Sequence, residues 1–190
     1  MPPATRARFA QSIQEEVGKL PPLQCAAIQK RCGPAWQQIA TSQPVTWLEE
    51  ATYNALTDSI RTQLGDTETI KLFRALGRRI IQNPNLQNFV EGIIRMFGLS
   101  PHTLLKASPR GRETLVRDSG TLEYVYVGPN SATLVLRHFP VSTFKSGTTV
   151  VLLSGTFLGL LDAAGCSKTA KLTTSHVELH AGHATFHLSW

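Results

Sequence analysis

Between Leu86 and Phe97 the chain reads LQNFVEGIIRMF, with Leu86, Phe89, Val90, Ile93, Ile94 and Phe97 at i, i+3, i+4, i+7, i+8 and i+11. That spacing puts six apolar side chains on one stripe of a helix and predicts a face buried against a neighbour. Upstream, DTETIKLFRALGRRII carries Ile70, Phe73, Gly77, Ile80 and Ile81 on one stripe, with Asp66 as N-cap and Asn83-Pro84 as the stop. Before it, Pro44 opens a helix through WLEEATYNALTDSIRTQL that Gly65 ends. Weaker helical patterns cover Thr5 to Val17 and Leu23 to Arg31, so the chain up to residue 117 is expected to be helical throughout.

At Gly120 the period changes from helical to alternating. TLEYVYV and ATLVLRHF are rich in β-branched and aromatic residues and flank Gly128-Pro129-Asn130-Ser131, which predicts a hairpin. The apolar run VVLLSGTFLGLLDAA follows, read as a buried helix from Thr143 to Ala164 that Gly165 stops. At helical rise it is too short to cross a hydrocarbon layer. AKLTTSHVELH and ATFHLSW supply a last pair of strands. The expected class is α+β: an N-terminal helical part packed on an antiparallel sheet with ββαββ order in the C-terminal third. Residues 1–190 are read as one domain, with 1–65 as its N-terminal helical region.

Composition narrows the function classes more than it selects one. With 190 residues and 42% hydrophobic content the chain can fill a core. The early arginines have no apolar stretch behind them, so no secretory signal is read and a cytoplasmic location is expected. Cys25, Cys32 and Cys166 lack metal-like spacing and read as buried thiols. The net charge of +6 is concentrated early, with 15 Lys+Arg against 10 Asp+Glu up to residue 119 and 4 against 3 beyond it. Arg74, Arg78 and Arg79 form one basic group, and Lys106, Arg110, Arg112 and Arg117 another. Without an aromatic stacking pattern or a DNA-reading motif these read as solvated helix faces, against nucleic-acid binding.

Four of the six histidines stand close together in HVELHAGHATFH. For Val177 and Leu179 to share a core face with Ala184, Phe186 and Leu188, a two-residue turn at Ala181-Gly182 must pair His180 with His183, Glu178 with Thr185 and His176 with His187. His176, Glu178, His180, His183 and His187 then share the opposite face. Cross-strand neighbours there are roughly 5 Å apart at Cβ, close enough to hold zinc or another transition metal. The alternative is the wet side of a half-buried hairpin, for which histidine and threonine both serve.

Ser154, Gly155 and Gly159 make a small-residue strip on the apolar helix. Such a strip allows close packing on the sheet, forms a dimer seam, or leaves room for a ligand beside Phe157 and Leu160. The candidate ligand pocket is thus Ser154, Gly155, Phe157, Gly159 and Leu160. No G-x-S-x-G elbow, catalytic cysteine signature or phosphate-binding loop is present, and the chain is read as non-enzymatic.

LFRALGRRI, FVEGIIRMFG, SGTFLGLLDAAGC and the closing ATFHLSW resemble a family of uncharacterised cytoplasmic proteins found as multiple paralogues in myxobacteria, over roughly residues 66–190. The family is distantly similar to vinyl-reductase-like small-molecule-binding domains and to haem nitric-oxide-binding domains. That resemblance implies helices packed on an antiparallel sheet, a hydrophobic pocket and frequent dimerisation. The chain departs from the cysteine-rich zinc site of the one group and from the proximal histidine and Tyr-x-Ser-x-Arg pattern of the other, so no haem is expected. The leading expectation is a non-catalytic regulatory or sensory domain, dimeric, holding a small apolar ligand. The alternatives are a protein-interaction module with a partner subunit and a metal-binding protein built on the histidine hairpin.

Overall fold

The computed structural model describes residues 2–79, 87–144 and 146–190, and only the backbone of residues 87–90 and 143. The architecture is α+β. The N-terminal part contains α1 (Ala7–Val17), α2 (Pro22–Cys32), α3 (Pro34–Thr41) and the long α4 (Glu50–Arg79). α5 (Gln87–Phe97) and α6 (Pro101–Leu115) follow, and Ser100 caps α6 by accepting the Thr103 N–H at 3.1 Å. The C-terminal part runs β4 (Thr121–Gly128), β5 (Ser131–Arg137), α7 (Val141–Phe144), α8 (Thr148–Ala163), β6 (Lys171–Glu178) and β7 (His183–Ser189). Its four strands form an antiparallel sheet in the order β4-β5-β7-β6, so the ββαββ expectation holds.

Three short strands interrupt the region expected to be wholly helical. β1 (Ala4–Arg6), β2 (Trp47–Glu49) and β3 (Val116–Arg117) make a second antiparallel sheet ordered β2-β1-β3. They are too short to show a period, and their pairing joins segments far apart in sequence. Cation–π contacts hold them: the Arg6 and Arg117 guanidiniums lie 4.0 and 4.8 Å from the centre of the Trp47 ring. Because Trp47–Glu49 is strand, the following helix starts at Glu50 and not at Pro44. Gly65 breaks α4 as the sequence indicates, at φ +74° and ψ 173°. Asp66 does not serve simply as a cap, since its carboxylate accepts from Arg61 at 2.7 and 3.2 Å.

Two cores meet at α8. Leu134, Leu136, Phe186 and Leu188 from the sheet pack with Leu105 of α6 and Phe157, Leu160 and Leu161 of α8. Phe157 meets Phe186 edge-on at 5.1 Å between ring centres. Ile13, Ile28, Leu56, Ile60 and Phe73 build the other core with Leu152 of α8. A helix that serves a core on each side is apolar all round, which explains the unbroken hydrophobic run.

The strip of small residues on α8 faces α4 and not the sheet. A Cβ at Gly155 would lie 2.5 Å from the Ile70 carbonyl oxygen, and one at Gly159 would lie 2.3 Å from that of Arg74. Gly77 answers from α4, where a Cβ would meet the Thr156 carbonyl oxygen at 2.3 Å. A two-pronged pair locks the crossing: Arg74 donates through Nε and Nη2 to the two Asp162 oxygens, each at 2.7 Å.

The expected buried face of α5 is only partly covered among its described side chains. Ile93 and Ile94 are half-buried, but Met96 and Phe97 are 71% and 69% exposed. Leu86, and Ile80 and Ile81 of the preceding stripe, lie outside the described residues. No helix among the described residues is long and apolar enough to cross a membrane.

Candidate functional site

A cavity of about 150 Å³ lies where the two cores, the small sheet and α6 converge. Leu152, Leu153, Thr156, Phe157 and Leu160 form its α8 wall. Leu104, Ala107, Ser108, Gly111 and Leu115 of α6 face it at i, i+3, i+4, i+7 and i+11, one helical stripe whose middle is made of small residues. Pro3, Ala4 and Thr5 at β1, Phe9 of α1, Tyr53 and Phe73 of α4, and Leu122 and Phe139 beside the sheet complete most of the lining. The hollow exists because bulky residues at the ends of the α6 stripe hold the walls apart while Ala107, Ser108 and Gly111 leave the centre unfilled.

The charged groups of this wall are Arg112 and Glu50. Arg112 donates to the Ser119 carbonyl at 2.6 Å and the Gly120 carbonyl at 3.1 Å, and its guanidinium lies 4.4 Å from the centre of the Phe139 ring. Burial pushes its pKa down to about 10, against the opposing influence of the Glu113 carboxylate. Burial also pushes the Tyr53 phenol well above its ordinary range, so it stays neutral. Glu50 Oε1 accepts from Ser142 Oγ at 2.7 Å.

Of the five residues read as a ligand pocket, Phe157 and Leu160 line this cavity. Gly155 and Gly159 are occupied by the approach of α4, and the Ser154 hydroxyl donates to the Val150 carbonyl at 2.8 Å. The missed signal was the small-residue stripe in LLKASPRGRETL, recognisable only once the segment is known to face an interior.

The histidine hairpin has a different register from the one expected. Ser175 pairs with Thr185, Thr173 with His187, and a bulge then leaves Glu178 opposite His183. His176 takes a left-handed conformation at φ +48°, which absorbs the bulge and leaves Val177 42% exposed. The turn is wider than two residues because Phe139 reaches into it: its N–H donates to the Gly182 carbonyl at 3.0 Å, and a Cβ at Gly182 would lie 2.0 Å from the Phe139 carbonyl oxygen. His187 is held between the hydroxyls of Ser175 at 2.7 Å and Thr133 at 3.2 Å. His176, Glu178, His180, His183 and His187 are not brought together as ligands: among the described residues no group of three or more histidine, cysteine or acidic side chains is placed to hold a metal ion.

The basic groups are likewise partly used within the fold. Arg74 binds Asp162, Arg79 pairs with Glu16, and Arg112 points inward. His102 sits on α6 away from the cavity: its Nε2–H donates to the Pro129 carbonyl at 3.0 Å, its Nδ1 accepts from the Tyr124 hydroxyl at 2.6 Å, and the Trp190 ring centre is 4.8 Å off.

No protein-family model matches the sequence, and no curated protein resembles it in sequence. Solved structures do resemble it in three dimensions. An Fe(II) unliganded H-NOX protein mutant from K. algicida superposes with a TM-score of 0.65 at 10% identity, covering 97% of this chain and 95% of that one. The fold is that of H-NOX structures. An H-NOX protein from S. oneidensis in the Fe(II)NO ligation state gives 0.57 at 11% identity over 97% and 98% of the two chains. An oxygen-binding H-NOX domain related to soluble guanylate cyclases gives 0.54 at 10% identity over 96% and 92%.

These neighbours correct the expectation that set haem aside. That expectation rested on missing motifs, whereas the architecture is one that holds haem iron in other proteins, so haem stands as a candidate cofactor of this fold. The cavity between α6 and α8 does not fit one. Its volume is below the roughly 300–1,000 Å³ of ordinary ligand pockets. Its lining contains no histidine, cysteine or methionine among the described residues, and Tyr53 is the one side chain there of a kind that ligates haem iron.

Proposed function

We propose that this chain is a non-catalytic sensory or regulatory domain that binds a small apolar ligand in the cavity between α6, α8 and the N-terminal helices. One observation carries the reading: an apolar hollow of about 150 Å³ at the junction of both cores. An engineered protein cavity of about that size, lined by leucine, isoleucine and phenylalanine, binds benzene. A fold shared with structures described as oxygen-binding and NO-ligated supports it by analogy. A ligand that wedges α6 away from α8 alters the packing of both cores together, which is how occupancy becomes a change of shape.

The test is a titration of the full chain with benzene and toluene, followed by NMR shifts of the Leu104, Leu153 and Leu160 methyls. Saturable shifts confined to the lining are expected, and Ala107→Trp, which fills the hollow, abolishes them. No saturable binding overturns the proposal. Stoichiometric uptake of added haemin, with a Soret band that Tyr53→Phe shifts or removes, replaces it with haem binding.

A second reading, an interaction surface for a second copy of the chain, rests on the exposed apolar residues Met96 and Phe97 at the end of α5 and Leu99 just after it. Sedimentation velocity decides it: a concentration-dependent dimer that Phe97→Glu dissociates supports this reading, and a monomer throughout ends it.

A further inference from the structure

The cavity wall is mostly apolar, yet it contains the Arg112 guanidinium, which forms no salt bridge with a carboxylate among the described residues. Arg112 spends two of its five N–H donors on the carbonyls of Ser119 and Gly120. Buried charges in proteins are ordinarily paired, because taking an ion out of water costs several kcal/mol that attraction to an opposite charge offsets. Carbonyl dipoles, the Phe139 face and the nearby Glu113 charge offset part of that cost, and Arg112 is itself part of the cavity lining. Holding the turn before β4 does not by itself require a charge, since a neutral amide could also bond those carbonyls; Arg112 is half-buried there. Glu50, the carboxylate in the wall, has its Oε1 engaged by Ser142 and Asn54.

We infer that the cavity selects a one-ring apolar carboxylic acid, with its ring in the hollow and its carboxylate on Arg112. The inference rests on the binding function proposed above and names its ligand class. The hollow sets the size, since its volume matches a benzene-binding cavity. The planar fork of Arg112 sets the head group, since carboxylate oxygens take two parallel N–H donors in a way a hydroxyl cannot. Phe139 lies both on the guanidinium and in the lining, so a ring entering beside it meets an aromatic wall next to the charge.

The experiment compares benzoate with benzyl alcohol, which has a similar apolar body and no charge, by calorimetry on the full chain at pH 7. Benzoate is expected to bind at least about tenfold tighter, the discrimination that one charge-assisted contact supplies. Arg112→Gln keeps donors for the two carbonyls and removes the charge; it is expected to erase the preference for benzoate while leaving benzyl alcohol within about threefold. Arg112→Lys keeps part of the preference, and the wild-type comparison stands even where a variant fails to fold. A purely structural arginine would alter stability in these variants and leave the acid-to-alcohol ratio unchanged, which would overturn the inference. Equal binding of the two probes by the wild type also overturns it and leaves the cavity's binding function intact. Failure of both probes, together with benzene, removes both proposals.

Discussion

Gly159→Ala tests the close crossing of α8 on α4. In an exposed helix this change is favourable, by about 1 kcal/mol from helix propensity. Here the new methyl would stand 2.3 Å from the Arg74 carbonyl oxygen, 2.6 Å from the Arg78 nitrogen and 2.8 Å from the Gly77 carbonyl carbon. All three are backbone atoms, so no rotamer change relieves the contact. Ordinary carbon contacts lie at about 3.5–4.0 Å, which means that α8 must retreat by roughly 1 Å. Retreat strains the Arg74–Asp162 pair and opens both cores, because α8 serves each. Overpacking costs about 1–3 kcal/mol, placed at its upper end by rigid neighbours, and the propensity gain offsets about 1. The expected net loss is about 2 kcal/mol, or a Tm lower by roughly 4–8 °C for a chain of this size. Urea unfolding followed by circular dichroism at 222 nm measures it. Gly92→Ala, where nothing lies within 4 Å of the added atom, is the control and is expected to stabilise slightly. Equal or greater stability of Gly159→Ala would refute the close-packing argument.

Three other outcomes follow from the same geometry. Phe186→Ala removes a fully buried ring stacked edge-on against Phe157 and is expected to cost about 3–5 kcal/mol in urea unfolding. Arg74→Ala strands the nearly buried Asp162 carboxylate; with the arginine 31% exposed the loss is discounted to about 2 kcal/mol, and a double-mutant cycle with Asp162→Ala should recover a coupling of that sign. The Arg61 guanidinium holds the Asp66 carboxyl below its usual range, so the pair's contribution is complete above the unfolded carboxylate pKa of about 3.9 and lost as pH falls through the lower folded value. Asp66→Asn is expected to lose the pair's whole contribution at pH 7, under about 1 kcal/mol for so exposed a pair, and nothing below the folded value, which flattens the stability–pH curve in that acid window.

The sequence by itself determined the local period of most elements. The turn at Gly128–Ser131, the break at Gly65 and the apolar run of α8 were all legible because their causes are local: turn chemistry, a positive φ, and a helix enclosed by core on two sides. The inward positions Ala184, Phe186 and Leu188 of β7 were legible for the same reason, since alternation within one strand needs no partner. Pairing over distance was decided elsewhere. Trp47 became a strand residue because its backbone pairs with β1 at Arg6, and the histidine register slipped where Phe139 packs against the turn at Gly182. The glycines of α8 were visible as a strip, but only the crossing of α4 showed which neighbour uses them. The cavity depended most on tertiary structure: Ala107, Ser108 and Gly111 are unremarkable in sequence, and they leave a hollow only because α8, Phe9 and Tyr53 stand across from them. A void is a property of surfaces brought face to face, and no single segment encodes it.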